Sequence, residues 1–166
     1  MPDPLYEYLS DDHELLDRLL DSAMAKPGVI DMEPYAEFRR RILRHIGIEE
    51  RIILPAIARL QDGRQKAMAE QIRLDHGAIA ALMVPPPTAS IIATLRSILQ
   101  VHNVLEEENG GLYELVGRFA GAETGAMLEK MKSTPDVPLL PHNDKPTALE
   151  AAKRAVARAG YEFHEL

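Results

Sequence analysis

Cysteine and tryptophan are absent from this sequence, and aromatic residues make up only 5% of it. Without cysteine there is no disulfide, no thiolate metal site and no cysteine nucleophile; any metal must be held by histidine, carboxylate or backbone oxygen. With aromatics scarce, Leu, Ile, Ala and Met carry the apolar load beside Glu, Arg and Lys, a mixture that favours helix over sheet. No apolar run reaches membrane-spanning length. The opening MPDPLYEYLSDDH is acidic and lacks the apolar segment of a secretory signal, so the expectation is a cytoplasmic protein with no membrane association. Positive charge is also short: the net charge is −7, which would repel a phosphate backbone and argues against a nucleic-acid partner. The one basic cluster, Arg39 to Arg41, is diluted by Glu37, Glu49 and Glu50 and reads as a solvated helix face.

What is present is helical periodicity. The 166 residues suffice for one domain with a real core. A first helix is expected over about Leu5 to Met24, with a stripe of Leu5, Leu9, His13, Leu16 and Leu20, ended by Lys26-Pro27-Gly28. A second should start at an Asp31 cap and reach about Leu60, kinked by Pro55. Its stripe reads Phe38, Ile42, His45, Glu49, Ile52, Ala56 and Leu60. The tight connection Gln61-Asp62-Gly63 leads to a third, whose stripe is Met68, Ile72, His76, Ile79 and Met83. After Pro85-Pro86-Pro87, Thr88 caps a fourth with the stripe Ile92, Leu95, Leu99, His102 and Glu106. Gly110-Gly111 breaks it, and Leu112 to Ala120 continues as a further helical segment.

The expected fold is therefore all-α: an up-down-up-down four-helix bundle over residues 1–121, with a short helical C-terminal extension over 122–166. The extension reads as a short helix from Glu123 to Lys132, a proline-rich segment, and a last helix with Thr147 and Glu150 as capping box and Gly160 beyond its end. It is expected to pack on the bundle or on a second copy of the chain, giving a homo-oligomer in the second case.

Each bundle helix places one histidine on its buried stripe: His13, His45, His76 and His102. Two of them add a glutamate one turn later on the same face, Glu49 and Glu106. Burying an isolated imidazole or carboxylate costs several kcal/mol unless something compensates, and a shared cation would. The halves also repeat. Asp12-His13 answers Asp75-His76, and HIGIEE answers HNVLEE, so a pseudo-two-fold site is expected in which each half gives two histidines and one carboxylate. Counting residues along each helix brings His13 level with His45 and the second helix level with the third, but leaves a mismatch of several residues between the third and fourth, which the triproline connection must absorb. Competing metal motifs fail. No histidine follows a glutamate by three positions as in ferritin-like di-iron bundles. His13-Glu14 is followed at the fourth position by Asp17, not histidine, so the zincin pattern fails as well.

With these pieces in hand, the sequence resembles the hemerythrin-like, HHE cation-binding domain family. The matching segments are DDHELLDRLL, HIGIEERIILP, LDHGAIAALM and HNVLEEE, in that order, across roughly residues 10–120. The resemblance implies two non-haem iron ions bridged by two carboxylates and an oxygen species. By position, Glu49 and Glu106 would be the bridging carboxylates, His13 and His45 would bind one iron, and His76 and His102 the other. One position departs from the family's oxygen carriers, which have a second histidine one turn after the one matching His76; here it is Ala80. Two octahedral ions need about twelve donor positions, of which four histidines and two bridging carboxylates fill about eight and a bridging oxygen about two more. The expectation is a symmetric site with one open position on each metal, more accessible than a carrier's.

Imidazole and carboxylate donors suit Fe, Mn and Zn alike. The leading expectation is a di-iron protein that binds or senses O2, peroxide or nitric oxide, small ligands being its partners. The alternatives are a di-iron enzyme with peroxidase, catalase-like or nitric-oxide-reducing activity, and a metal-stabilised interaction module without redox role. Of the remaining polar residues, Glu50, Glu107, His142 and His164 are expected in solvent. Tyr6, Tyr8 and Tyr113 are candidate phenols near the pocket, with packing as their expected role.

Overall fold

The computed structural model describes residues 3–59 and 62–166. Leu60 and Gln61, expected at the end of the second stripe and in the following connection, lie outside the described residues. Every regular element among the described residues is helical, and none of the helices is long and apolar enough to cross a membrane.

Short polar side chains start the long helices by accepting backbone N–H groups that the first turn leaves without partners. Asp3 takes those of Leu5 and Tyr6 at the head of α1 (Pro4–Ala23). Asp31 takes that of Glu33 for α2 (Met32–Ile48), Asp62 that of Arg64 for α4 (Gly63–Leu82), and Thr88 that of Ile91 for α5 (Ala89–Glu107). Between α2 and α4 the second helix runs on as a π-helical turn, Glu49–Ile53, and then α3 (Leu54–Ile57). Pro55 has no N–H to give to the carbonyl of Arg51, and its ring crowds that oxygen; a wider turn relieves both problems. The disturbance expected at Pro55 is therefore spread back over Glu49 and Glu50.

After α5 come α6 (Leu112–Ala120), a 3-10 turn, α7 (Thr124–Lys132) and α8 (Pro146–Arg158). The expected Thr147–Glu150 capping box does not form. The helix begins on Pro146, two residues before a Thr147 cap would start it, and the turn before it is held by Asn143 Oδ1, which accepts the Lys145 N–H at 3.0 Å.

Two apolar cores are separated by a polar layer. On α1, Leu5 and Leu9 belong to one core and Leu16 and Leu20 to the other, with His13 between them. The same alternation holds on α2, where His45 lies between Ile42 and Ile48, and on α4, where His76 lies between Ile72 and Ile79. The His76 and His102 rings are 5.0 Å apart, so the Met83–Thr88 connection takes up the mismatch between these two helices.

The extension packs on the rest of the chain. Helix α8 lies along α4 and buries Ala152 and Val156 in one core; α7 gives Met127 and Met131 to the other. The arginines anchor it. Arg44, only 8% exposed, donates to the carbonyls of Met131, Lys132 and Thr134, the end of α7, and to the Tyr8 hydroxyl. Arg39 is also buried, not solvated, and donates to the Leu140 carbonyl at 2.8 Å, whereas Arg40 and Arg41 pair with Glu37 on the surface. Arg44→Met should leave the α7 carbonyls without donors and cost about 2–4 kcal/mol in a urea unfolding experiment. A loss below about 0.5 kcal/mol would mean that water replaces the guanidinium at that joint.

Candidate metal centre

The six expected donors converge. His45, Glu49, His76, His102 and Glu106 are at most 3% exposed and His13 is 7% exposed. Their nitrogen and oxygen atoms form two groups, His13–His45–Glu49–Glu106 and Glu49–His76–His102–Glu106, each with all its donor atoms within 4.8 Å of one another. Both glutamates belong to both groups. In the first, His13 Nε2 lies 3.1 Å from His45 Nε2 and 3.1 Å from Glu106 Oε2, and His45 Nε2 lies 3.1 Å from Glu49 Oε1. In the second, Glu49 Oε2 is 3.0 Å from His76 Nε2 and Glu106 Oε1 is 2.9 Å from His102 Nε2.

The Nε2 atoms point inward because each Nδ1 is held from outside. Asp12 Oδ2 is 3.0 Å from His45 Nδ1 and Asp75 Oδ2 is 3.1 Å from His102 Nδ1. Glu50 Oε1 is 2.7 Å from His76 Nδ1, and Glu107 Oε1 contacts His13 Nδ1. An Nδ1–H donated to a carboxylate leaves the Nε2 lone pair free for a cation and makes the imidazole more basic. The arrangement has the expected pseudo-two-fold: the aspartate before each α1 or α4 histidine serves the histidine of the next long helix, and the second glutamate of each Glu-Glu pair serves the histidine of the opposite half.

Glu50 and Glu107 are thus not solvated as expected, and Asp12 and Asp75 had no role assigned. Asp75 is fully buried and also accepts from Gln71 Nε2 at 2.8 Å. The signal that could have exposed all four is the doubled Asp-His and Glu-Glu spelling in both halves. Asp75→Ala should weaken metal affinity by about 10–100-fold without removing a donor. A chelator competition titration checks this, and unchanged affinity would deny Asp75 that role.

Of the candidate phenols, only Tyr113 reaches the centre; it is fully buried. Tyr6 donates to the Glu107 carbonyl, and Tyr8 accepts from Arg44. Expected in solvent, His142 instead is half-buried and stacks on Tyr35; His164 is exposed and lies 2.9 Å from Ser97 Oγ. Ala80 is half-buried and brings no donor.

The electrostatics follow from crowding. Burial pushes His45 down, but Glu49 and Asp12 overcome it and its pKa rises to about 10. Against the same burial, Glu106, Glu49 and Glu50 lift His76 to about 11, and Glu106 with Asp75 lifts His102 to about 9. His13 is raised in the same way by Glu106 and Glu107. Burial and Glu106 push Glu49 up, yet His45 and His76 bring it down to about 2. Glu106 is likewise held well below the usual carboxylate range against its burial, by His102, His13 and His76.

The carboxylates thus favour positive charge at all four imidazoles, and cations held by the same donors would supply it in place of protons. A second observation favours cations. Glu106 Oε1 is buried and makes no hydrogen bond, although His102 Nε2 is 2.9 Å away. A carboxylate oxygen and an imidazole nitrogen this close, but misaligned for a hydrogen bond, have the spacing of neighbouring ligands on one ion. The residues fit a metal pair.

A cleft of about 450 Å³ opens beside this cluster between α1 and α5, lined by His13, Leu16, Arg96, Gln100, Asn103 and Glu107 among others. Asn103 Oδ1 is buried there without a partner. No family model, curated protein or solved structure matches this chain.

Proposed function

We propose that the chain is a hemerythrin-like protein holding two non-haem iron ions, and that it binds or senses O2, peroxide or nitric oxide. In this reading α1, α2, α4 and α5 run up-down-up-down as a four-helix bundle over residues 1–121, and residues 122–166 are an extension docked on it. The observation that carries the reading is the pair of four-donor groups sharing both Glu49 and Glu106. A lone structural ion needs one such group; two groups joined through two carboxylates suit a coupled pair. His13 and His45 would serve one ion, His76 and His102 the other, and Asp12, Glu50, Asp75 and Glu107 would hold the four rings in place. Bound iron would supply one-electron redox steps and open positions for a small ligand.

Nitrogen and oxygen donors also suit Mn and Zn, so the metal is read by experiment. Anaerobic loading with Fe(II) followed by air should turn the protein coloured, with the absorption of a di-iron(III) centre. A protein that takes up no iron and stays colourless would sink the proposal. A second reading, turnover of peroxide or nitric oxide, is favoured by a donor set that leaves a position open for a small ligand on two octahedral ions. Turnover above that of free iron supports it; a long-lived adduct without turnover favours binding or sensing.

A further inference from the structure

Tyr113 occupies an unusual place. Its hydroxyl oxygen lies 2.9 Å from His13 Nε2, 3.3 Å from His45 Nε2, 2.7 Å from Glu49 Oε1 and 3.0 Å from Glu106 Oε2. These are the four donors of the first group and include none of the imidazoles of the second. A phenol has one proton to donate and two lone pairs, so four polar neighbours exceed what its hydrogen bonds can use. Donors held about 2.1 Å from one octahedral ion lie about 3.0 Å from their neighbours. All four contacts of the Tyr113 oxygen fall close to that spacing, as do the 3.1 Å separations His13–His45, His45–Glu49 and His13–Glu106. Three neighbouring pairs among the four donors thus have the spacing of adjacent ligands, and the phenol oxygen lies within 3.3 Å of all four.

The chain is bent to put it there. Helix α5 ends at Glu107, and Gly110 turns with φ +82°, a conformation a side chain rarely adopts. At Gly111 a Cβ would come within 2.7 Å of the Leu105 carbonyl oxygen and 2.9 Å of that of Glu106. The pair of glycines folds the chain back over the end of α5, so that the second residue of α6 reaches the cluster. The corresponding stretch of the first half, Glu50 to Ala56, runs on as helix and has Ala56 at the matching position, so it offers no phenol.

Resting on the di-metal reading above, we infer that Tyr113 is a fifth protein donor to the His13–His45 metal, bound as phenolate. The proton it now shares with Glu49 or Glu106 leaves to solvent when the metal binds. The two positions are then unequal: five protein donors on one side, four on the other. The expected symmetry is broken. With a bridging oxygen the first ion is filled, and the open position belongs to the His76–His102 ion alone. A hard anionic oxygen also favours the higher oxidation state of the ion it binds.

Tyr113→Phe removes only the hydroxyl, and two readouts bear on it apart from any activity. Iron(III)-loaded wild type should show a visible tyrosinate-to-iron charge-transfer band, with tyrosine ring modes enhanced in resonance Raman; both should vanish in Tyr113→Phe while two irons remain. Zn(II) loading of the wild type should raise near-UV tyrosinate absorbance, again lost in the variant. One of the two binding steps should weaken by about tenfold or more. Two irons bound with no phenolate signature in the wild type would overturn this inference and leave the di-iron proposal standing. Failure to bind any metal would overturn both. If Tyr113→Phe does not fold, the wild-type Raman and Zn(II) difference spectra decide alone.

Discussion

Glu106→Gln should abolish binding at both metal positions, whereas His45→Gln should remove one. Glu106 gives one oxygen to each group: Oε2 lies 3.1 Å from His13 Nε2 and Oε1 lies 2.9 Å from His102 Nε2. An amide keeps the shape but offers one neutral oxygen, so it cannot bridge. His45 belongs to the first group only. The metal-free fold should suffer as well, because the Glu106 carboxylate is among the groups that raise His13, His76 and His102 against their burial. Breaking a buried pair by removing one partner costs about 3–5 kcal/mol. Elemental analysis and a thermal melt of the three proteins check both parts. Two metals retained by Glu106→Gln would mean that the carboxylate bridges nothing.

The second large effect is a divergence with pH. In the metal-free protein the folded-state pKa values of His45, His76 and His102 are raised to about 10, 11 and 9 from 6.5, and that of His13 is raised too. A raised pKa contributes stability that is complete below the unfolded value and is lost as pH climbs through the folded value. Metal-free stability should therefore decline from about pH 6.5 upward. On the acid side Glu49 is depressed to about 2 from 4.5, so its contribution is complete above 4.5 and fades as pH falls toward 2. The metal-free optimum lies between these two limits.

Metal binding runs the other way, since it needs the imidazoles deprotonated and releases their protons. Raising pH at fixed free metal therefore tightens binding while the metal-free fold weakens. A metal present at a hundred times its dissociation constant adds about 2.7 kcal/mol, or about 5–10 °C in Tm for a domain of this size. That increment should grow between pH 6 and pH 8.5. A constant increment across this range would mean that the imidazoles are not the groups exchanging protons for metal.

Periodicity carried much of this in the sequence. The stripes on the four long helices placed His13, His45, His76, His102, Glu49 and Glu106 inward, and the structure brings all six together. The caps Asp31 and Thr88 and the Gly110–Gly111 break were legible because each acts within a few residues of itself. What escaped depends on neighbours far along the chain. Asp12, Glu50, Asp75 and Glu107 stand one position off the stripes, and only the packing of another helix gives them a histidine to hold.

Tyr113 was named as a candidate phenol but given a packing role, for a related reason. A helix stripe keeps its phase only while the helix continues, and α6 starts afresh after the glycine turn. Arg39 was misread because a charged run looks solvated until the carbonyl that receives it is placed, and Arg44, outside that run, had no role assigned. Arg39 and Arg44 meet theirs 101 and 90 residues away.

Whether two ions share Glu49 and Glu106 is read directly by one titration. Metal-free protein is titrated anaerobically with Fe(II), oxidised in air, and its bound iron is measured together with its Mössbauer spectrum in applied field. Uptake should end at two irons per chain, with the oxidised pair magnetically coupled. Saturation at one iron, or two irons behaving as isolated ions, would contradict a shared site.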